Sequence, residues 1–122
     1  MSYDDSNIFA RILRGEIPCQ KVFEDDHVLA FNDINPACPV HVLIIPKGPY
    51  RSITEMAAQG KDEELAALLR ALGTVAGMTG VADTGYRVIS NTGDHGHQEI
   101  PHLHFHLLGG RPIGRMVSRV DI

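Results

Sequence analysis

The sequence predicts one small domain of mixed helix and strand, spanning 1–122, and three observations lead to that expectation. Its 122 residues, 43% apolar and 21% charged, suffice to enclose a single core and not two. Several short β-prone runs are bounded by Gly, Pro or an Asp-Asp pair, as strands and hairpin turns require. One longer segment, 61–78, carries apolar residues three or four apart, the spacing of an amphipathic helix.

Each element follows in order. Ser6 precedes Ile8, Phe9, Ile12 and Leu13, which share one side of a helical wheel until Gly15 and Pro18 stop the pattern. Lys21 to Glu24 and His27 to Phe31 flank Asp25-Asp26 and read as the two arms of a hairpin. Pro36, Pro39 and Pro46 bracket Val40 to Ile45, a buried strand that carries His41. In the long helix, Leu65, Leu68, Leu69, Leu72, Val75 and Met78 form the apolar stripe. Asp62, Glu63 and Glu64 stand where the helix dipole favours acids. Tyr86 to Ser90 is a further strand, Asn91 to Gln98 a polar loop with Gly93 and Gly96, and His102 to Leu108 the last strand. The tail holds Arg111, Arg115 and Arg119 and has no clear period.

Lys plus Arg is 11 and Asp plus Glu is 15, a formal net charge of −4, so the chain lacks the basic face that a nucleic-acid partner needs. The N-terminal residues carry Asp4 and Asp5 and no apolar run, and no window resembles a membrane span. Neither a targeting segment nor a membrane partner is expected. Cys19 and Cys38 form no CxxC and match no standard zinc framework, and they read as free thiols of a cytoplasmic protein.

Seven residues are histidine, and His95, His97, His102, His104 and His106 fall within twelve positions. His102-Leu103-His104-Phe105-His106-Leu107 alternates imidazole with hydrocarbon. In an extended strand that pattern turns Leu103, Phe105 and Leu107 to the core and gathers three imidazoles on the other face, about 7 Å apart along the chain. Two chemistries fit such a face. One is a metal site, with a third ligand from Asp94, Glu99 or His41. The other is metal-free nucleophilic and acid–base catalysis: clustered imidazoles oppose one another's protonation, and a neutral imidazole is a competent nucleophile. The loop 91–98 offers small and amide residues whose N–H groups could cradle a phosphate. Asp33, in Phe31-Asn32-Asp33-Ile34-Asn35-Pro36, could accept the hydroxyls of a ribose or simply initiate a turn.

These residues resemble the histidine triad proteins, whose signature of alternating histidines followed by apolar residues reads here His102-Leu103-His104-Phe105-His106-Leu107-Leu108. Ile8-Phe9, Gly15-Glu16-Ile17-Pro18, Phe23-Glu24-Asp25-Asp26, Phe31 to Pro36, His41 to Lys47 and Leu108-Gly109-Gly110-Arg111 extend the resemblance over nearly the whole chain, toward the purine-nucleoside phosphoramidase branch. The resemblance implies an α+β fold with a five-stranded antiparallel sheet, one long and one short helix, and a homodimer that continues the sheet. It implies cleavage of purine 5′-phosphoramidates to AMP and an amine without a metal or other cofactor. His104 would be the nucleophile, with His41, His102 and His106 around it. Ile8, Phe9, Ile12, Phe31, Ile34 and Leu43 would line the nucleotide site, Asp33 would hold the ribose, and Asn91, Gln98 and the backbone at Gln98-Glu99 the phosphate. A strand carbonyl near His102 would fix the His104 tautomer. Glu99, His97 and His95 depart from the commoner family residues and bear on the leaving group. Dinucleoside polyphosphate hydrolysis, or nucleotide binding with incidental hydrolysis, is the alternative activity.

Overall fold

The computed structural model describes residues 2–117. Five strands, β1 (Lys21–Glu24), β2 (Val28–Asn32), β3 (Val40–Pro46), β4 (Tyr86–Ile89) and β5 (Phe105–Gly109), form one sheet in the spatial order β1-β2-β3-β5-β4. Every neighbouring pair is antiparallel. Three helices accompany it: α1 (Ile8–Leu13), α2 (Ile53–Gln59) and α3 (Asp62–Met78).

The central strands have no polar face. Along β2 and β3 alternate residues go to opposite sides of the pleat, and both sides are covered. Val28, Ala30, Val42 and Ile44 pack beneath Leu68, Ala71, Val75 and Ala76 of α3. Leu29, Phe31, Leu43 and Ile45 pack with Phe9 of α1 on the other side. Ile44 and Ile45 are both fully buried, and each such side chain contributes roughly 1.5–3 kcal/mol through the area it removes from water. Helix α1 is short but pinned, because the Asn7 side chain accepts from the Ala10 N–H at 2.9 Å as an N-cap.

Two expectations need correction. The expected helices are one long and one short, and the structure adds a second short one, α2, whose start signal is present in the sequence: the Ser52 hydroxyl accepts from the Glu55 N–H in a Ser-x-x-Glu segment. Gly60 caps the C-terminus of α2, where a Cβ would lie 2.7 Å from the Met56 carbonyl oxygen. The last strand begins at Phe105, not at His102. Its ladder with β3 stops at the Ile44–Phe105 pair, and β3 ends at Pro46, which has no N–H to continue it. Residues 102–104 are instead held by the Leu103 N–H donating to the Tyr50 carbonyl at 2.8 Å and by a turn from His102 to Ile100.

Leu103, Phe105 and Leu107 nevertheless pack into the core on the α3 side, as the alternation requires. Cys19 and Cys38 are free and half-buried. Among the described residues no helix is long and apolar enough to cross a membrane. Arg111 reaches the Ala37 carbonyl, whereas Arg119 lies outside the described residues.

Candidate active site

Register assembles the site. Phe31, Leu43, His106 and Ile89 stand opposite one another on adjacent strands and share the face that α1 covers. His41, two residues before Leu43, joins that face, and Asn91, two past Ile89, continues it into the loop. The result is a cavity of about 250 Å³ bounded by β3, β5, α1 and the loop after β4. Of the residues singled out in the sequence, Phe9, Asp33, Leu43, Asn91, Glu99, His104 and His106 line it. His97 and Ile100 line it as well.

His104 is buried in the cavity wall, 7% exposed. Its Nδ1 donates to the carbonyl of His102 at 2.7 Å. A carbonyl only accepts, so the ring carries its proton on Nδ1 and keeps the lone pair on Nε2. Ser90 Oγ donates to the His104 carbonyl at 2.9 Å and fixes the backbone. Phe9 meets the imidazole edge to face at 4.9 Å between ring centres, and His106 lies at 5.2 Å.

A second pair flanks it. The Ala37 N–H donates to His41 Nδ1 at 3.0 Å, so neutral His41 carries its proton on Nε2 and donates it to His106 Nδ1 at 2.9 Å. His106 thereby keeps its own proton on Nε2. Asp33 Oδ2 stands 3.4 Å from His41 Nε2, while its Oδ1 accepts from the Asn35 N–H. Asp33, His41 and His106 bring one ligand atom each within 4.8 Å of one another and could hold a divalent ion, but only by breaking the His41–His106 hydrogen bond.

His102 does not line the cavity. It is fully buried behind Phe9, donating from Nε2 to the Pro46 carbonyl at 2.9 Å and accepting at Nδ1 from the Tyr3 hydroxyl at 2.5 Å. Burial pulls its pKa down to about 4, which keeps it neutral. Burial also lowers His104, against the opposing pull of the His102 carbonyl and of the Asp33 and Glu99 charges. His106 falls for the same reason, reinforced by His104 and His41. Burial therefore favours the form of His104 whose Nε2 is unprotonated.

Other expected residues stand outside it. Ile8 and Ile34 are 41% and 87% exposed. Phe31 packs behind Phe9, and Ile12 lines a neighbouring cavity of about 500 Å³ with Ile17 and Leu29. His41 is buried behind His106 and reaches the pocket through it. The Gln98 side chain braces the loop, accepting from the Gly93 N–H and donating to the carbonyls of Arg51 and Ile100. Sequence reasoning missed Tyr3, which carries no local signal for contact with a residue 99 positions away, and Ile100, an isolated apolar residue in a polar loop.

A cavity-lining imidazole held through Nδ1 by a backbone carbonyl, a hydrogen-bonded imidazole pair beside it and alternating histidines that lead into an inner strand of an antiparallel sheet define a class. The HIT domain family model matches residues 14–113, and the chain belongs to that family. It is 52% identical to an uncharacterized 13.2 kDa HIT-like protein of Azospirillum brasilense, over 97% of each chain. It is 42% identical to the purine nucleoside phosphoramidase of Escherichia coli K12, over 93% of this chain and 95% of that protein. Among solved structures, a HIT family hydrolase from Clostridium thermocellum matches with a TM-score of 0.86 at 39% identity, covering 94% of this chain and 99% of that one. A HIT family hydrolase from Legionella pneumophila matches at 0.82 and 42%, covering 88% and 96%.

Proposed function

We propose that the protein hydrolyses the P–N bond of purine nucleoside 5′-phosphoramidates, releasing AMP and an amine through a nucleotidyl-histidine intermediate. The observation that carries this is the His104 Nδ1 bond to the His102 carbonyl at 2.7 Å, which leaves Nε2 unprotonated on a residue that lines the cavity. The 42% identity to a purine nucleoside phosphoramidase supports the substrate class.

His104 Nε2 attacks the phosphorus in line, a P–Nε2 bond forms and the P–N bond to the amine breaks. The amine takes its proton from the His41–His106 pair after the pair has gained one from solvent at His41 Nδ1, which displaces the Ala37 N–H and leaves a cation that the Asp33 carboxylate stabilises. Water then attacks the phosphorus and gives a proton back to the His41–His106 pair, the P–Nε2 bond breaks, and AMP leaves with the His104 imidazole restored. His106 Nε2–H and the Asn91 amide supply donors to the nonbridging oxygens as charge builds on them. His102 is too well satisfied and too deeply buried to exchange protons with substrate, and its part is to position His104.

The pocket holds the base against Phe9 and Leu43, with Asp33 toward the ribose. Two copies join through β4, an edge strand whose backbone groups are unpaired on one side. The exposed apolar residues Tyr86, Leu69 and Met78 supply apolar surface for that association.

Single-turnover cleavage of adenosine 5′-phosphoramidate by wild type, His104→Ala and His104→Asn tests the reading. Loss of about three orders of magnitude or more is expected in both variants. Undiminished cleavage removes His104 as nucleophile. AMP binding without turnover of any phosphoramidate favours a binding role, and faster cleavage of a diadenosine polyphosphate favours that alternative. A chelator leaves the wild-type rate unchanged; loss that zinc restores moves the chemistry to a metal at Asp33, His41 and His106.

A further inference from the structure

We propose that Glu99, held by His97 at the mouth of the pocket, makes the enzyme selective for phosphoramidates whose leaving amine bears a second positive charge. The inference rests on the phosphoramidase reading above and adds the chemical class of the leaving group.

In-line displacement places the leaving nitrogen on the far side of phosphorus from the attacking one. His104 is 7% exposed, so a group leaving on the far side of phosphorus from it departs toward the exposed part of the lining. Glu99 and His97 supply exposed lining, with side chains 75% and 86% exposed. His97 adopts φ +57°, a left-handed conformation uncommon for a residue with a side chain. Its Nε2 meets Glu99 Oε1 at 3.0 Å, which holds the carboxylate at the rim.

The charge around the pocket points the same way. Among the described residues no Lys or Arg lines it, whereas two carboxylates, Asp33 and Glu99, do. The buried imidazoles add little fixed charge. Such walls suit one phosphate stabilised by hydrogen bonds and oppose the further negative charges of a polyphosphate or of a carboxylate-bearing amine. A cationic tail leaving past Glu99 is attracted throughout the P–N cleavage, since the charge on the tail does not change as the bond breaks.

Three adenosine 5′-phosphoramidates of matched length discriminate: those of 1,4-diaminobutane, butylamine and 4-aminobutyrate, with cationic, neutral and anionic tails. The expected order of kcat/KM is cationic, neutral, anionic, spanning about tenfold in dilute buffer for an exposed carboxylate and shrinking in 0.5 M salt. In Glu99→Gln the span falls to about twofold, because the charge is lost and the shape is kept. Equal efficiencies in wild type overturn the inference and leave the phosphoramidase reading standing. A span that survives in Glu99→Gln overturns the assignment to this residue. Failure to cleave all three overturns the phosphoramidase reading itself, and the inference with it.

Discussion

Tyr3→Phe removes one hydroxyl, and its consequences are expected to reach His104, the proposed nucleophile. The Asn7 side-chain amide donates to the Tyr3 oxygen at 3.0 Å, so the hydroxyl proton is committed to His102 Nδ1. Without it that nitrogen is a buried acceptor with no donor, a loss of about 1–3 kcal/mol. At about 2.1 cal/mol/K of unfolding entropy per residue, a chain of 122 residues loses about 4 °C of Tm for each kcal/mol, so a fall of about 4–12 °C is expected. The His102 carbonyl is the group that fixes the His104 tautomer, and a less firmly held His102 leaves Nε2 correctly presented for less of the time. With the variant fully folded at 25 °C, kcat on an adenosine phosphoramidate should fall about three- to tenfold with KM within about twofold, the pattern of a positioning loss. A lowered Tm with unchanged kcat would make Tyr3 a structural residue only. An unchanged Tm would refute the buried hydrogen bond itself.

The buried imidazoles also set acid stability. Groups whose pKa is depressed in the folded state and ordinary in the unfolded one stabilise fully above the unfolded value near 6.5, and that stability is lost as pH falls toward their folded values. For His102, at about 4 when folded, the window runs from about pH 6.5 down to about 4 and the loss is on the order of 3 kcal/mol, with His104 and His106 adding in the same direction. Urea unfolding at pH 7.5, 6 and 5 should show a declining midpoint; a flat profile would contradict neutral burial of these rings. The same lowering predicts that kcat/KM holds down to below pH 6.5, because His104 stays unprotonated. Sedimentation at micromolar concentration should give a dimer, and a monomer there would contradict pairing through β4.

Strand content was legible because β2 and β3 are bounded by turn residues and filled with hydrocarbon. The alternation from His102 to Leu107 correctly assigned Leu103, Phe105 and Leu107 to the core, since the two-residue period is a property of extended backbone whether or not a ladder forms. It could not show that the three imidazoles have different environments. That difference comes from partners distant in the chain: Tyr3 and the Pro46 carbonyl enclose His102, whereas His106 bonds to His41. Ile8 and Ile34 were legible as apolar and not as exposed, because exposure depends on which side of α1 and of the turn after β2 faces the sheet. Helix α2 has seven residues and one capping signal, too little for periodicity to register.

The loop after β4 is tied mainly to itself. The Gln98 N–H donates to the Gly93 carbonyl, the Gly93 N–H returns to the Gln98 side chain, and a Cβ at Gly96 would strike the Thr92 backbone. The floor of the pocket, by contrast, is the core: Phe9 and Leu43 cannot change size without loosening β2 and β3. Inheritance can therefore act on the two halves of the site separately. On the proposed reading, substitutions at 94, 95, 97 and 99 would diversify the departing group and leave the contacts to the nucleotide as they are, so lineages with one fold could come to process quite different adducts.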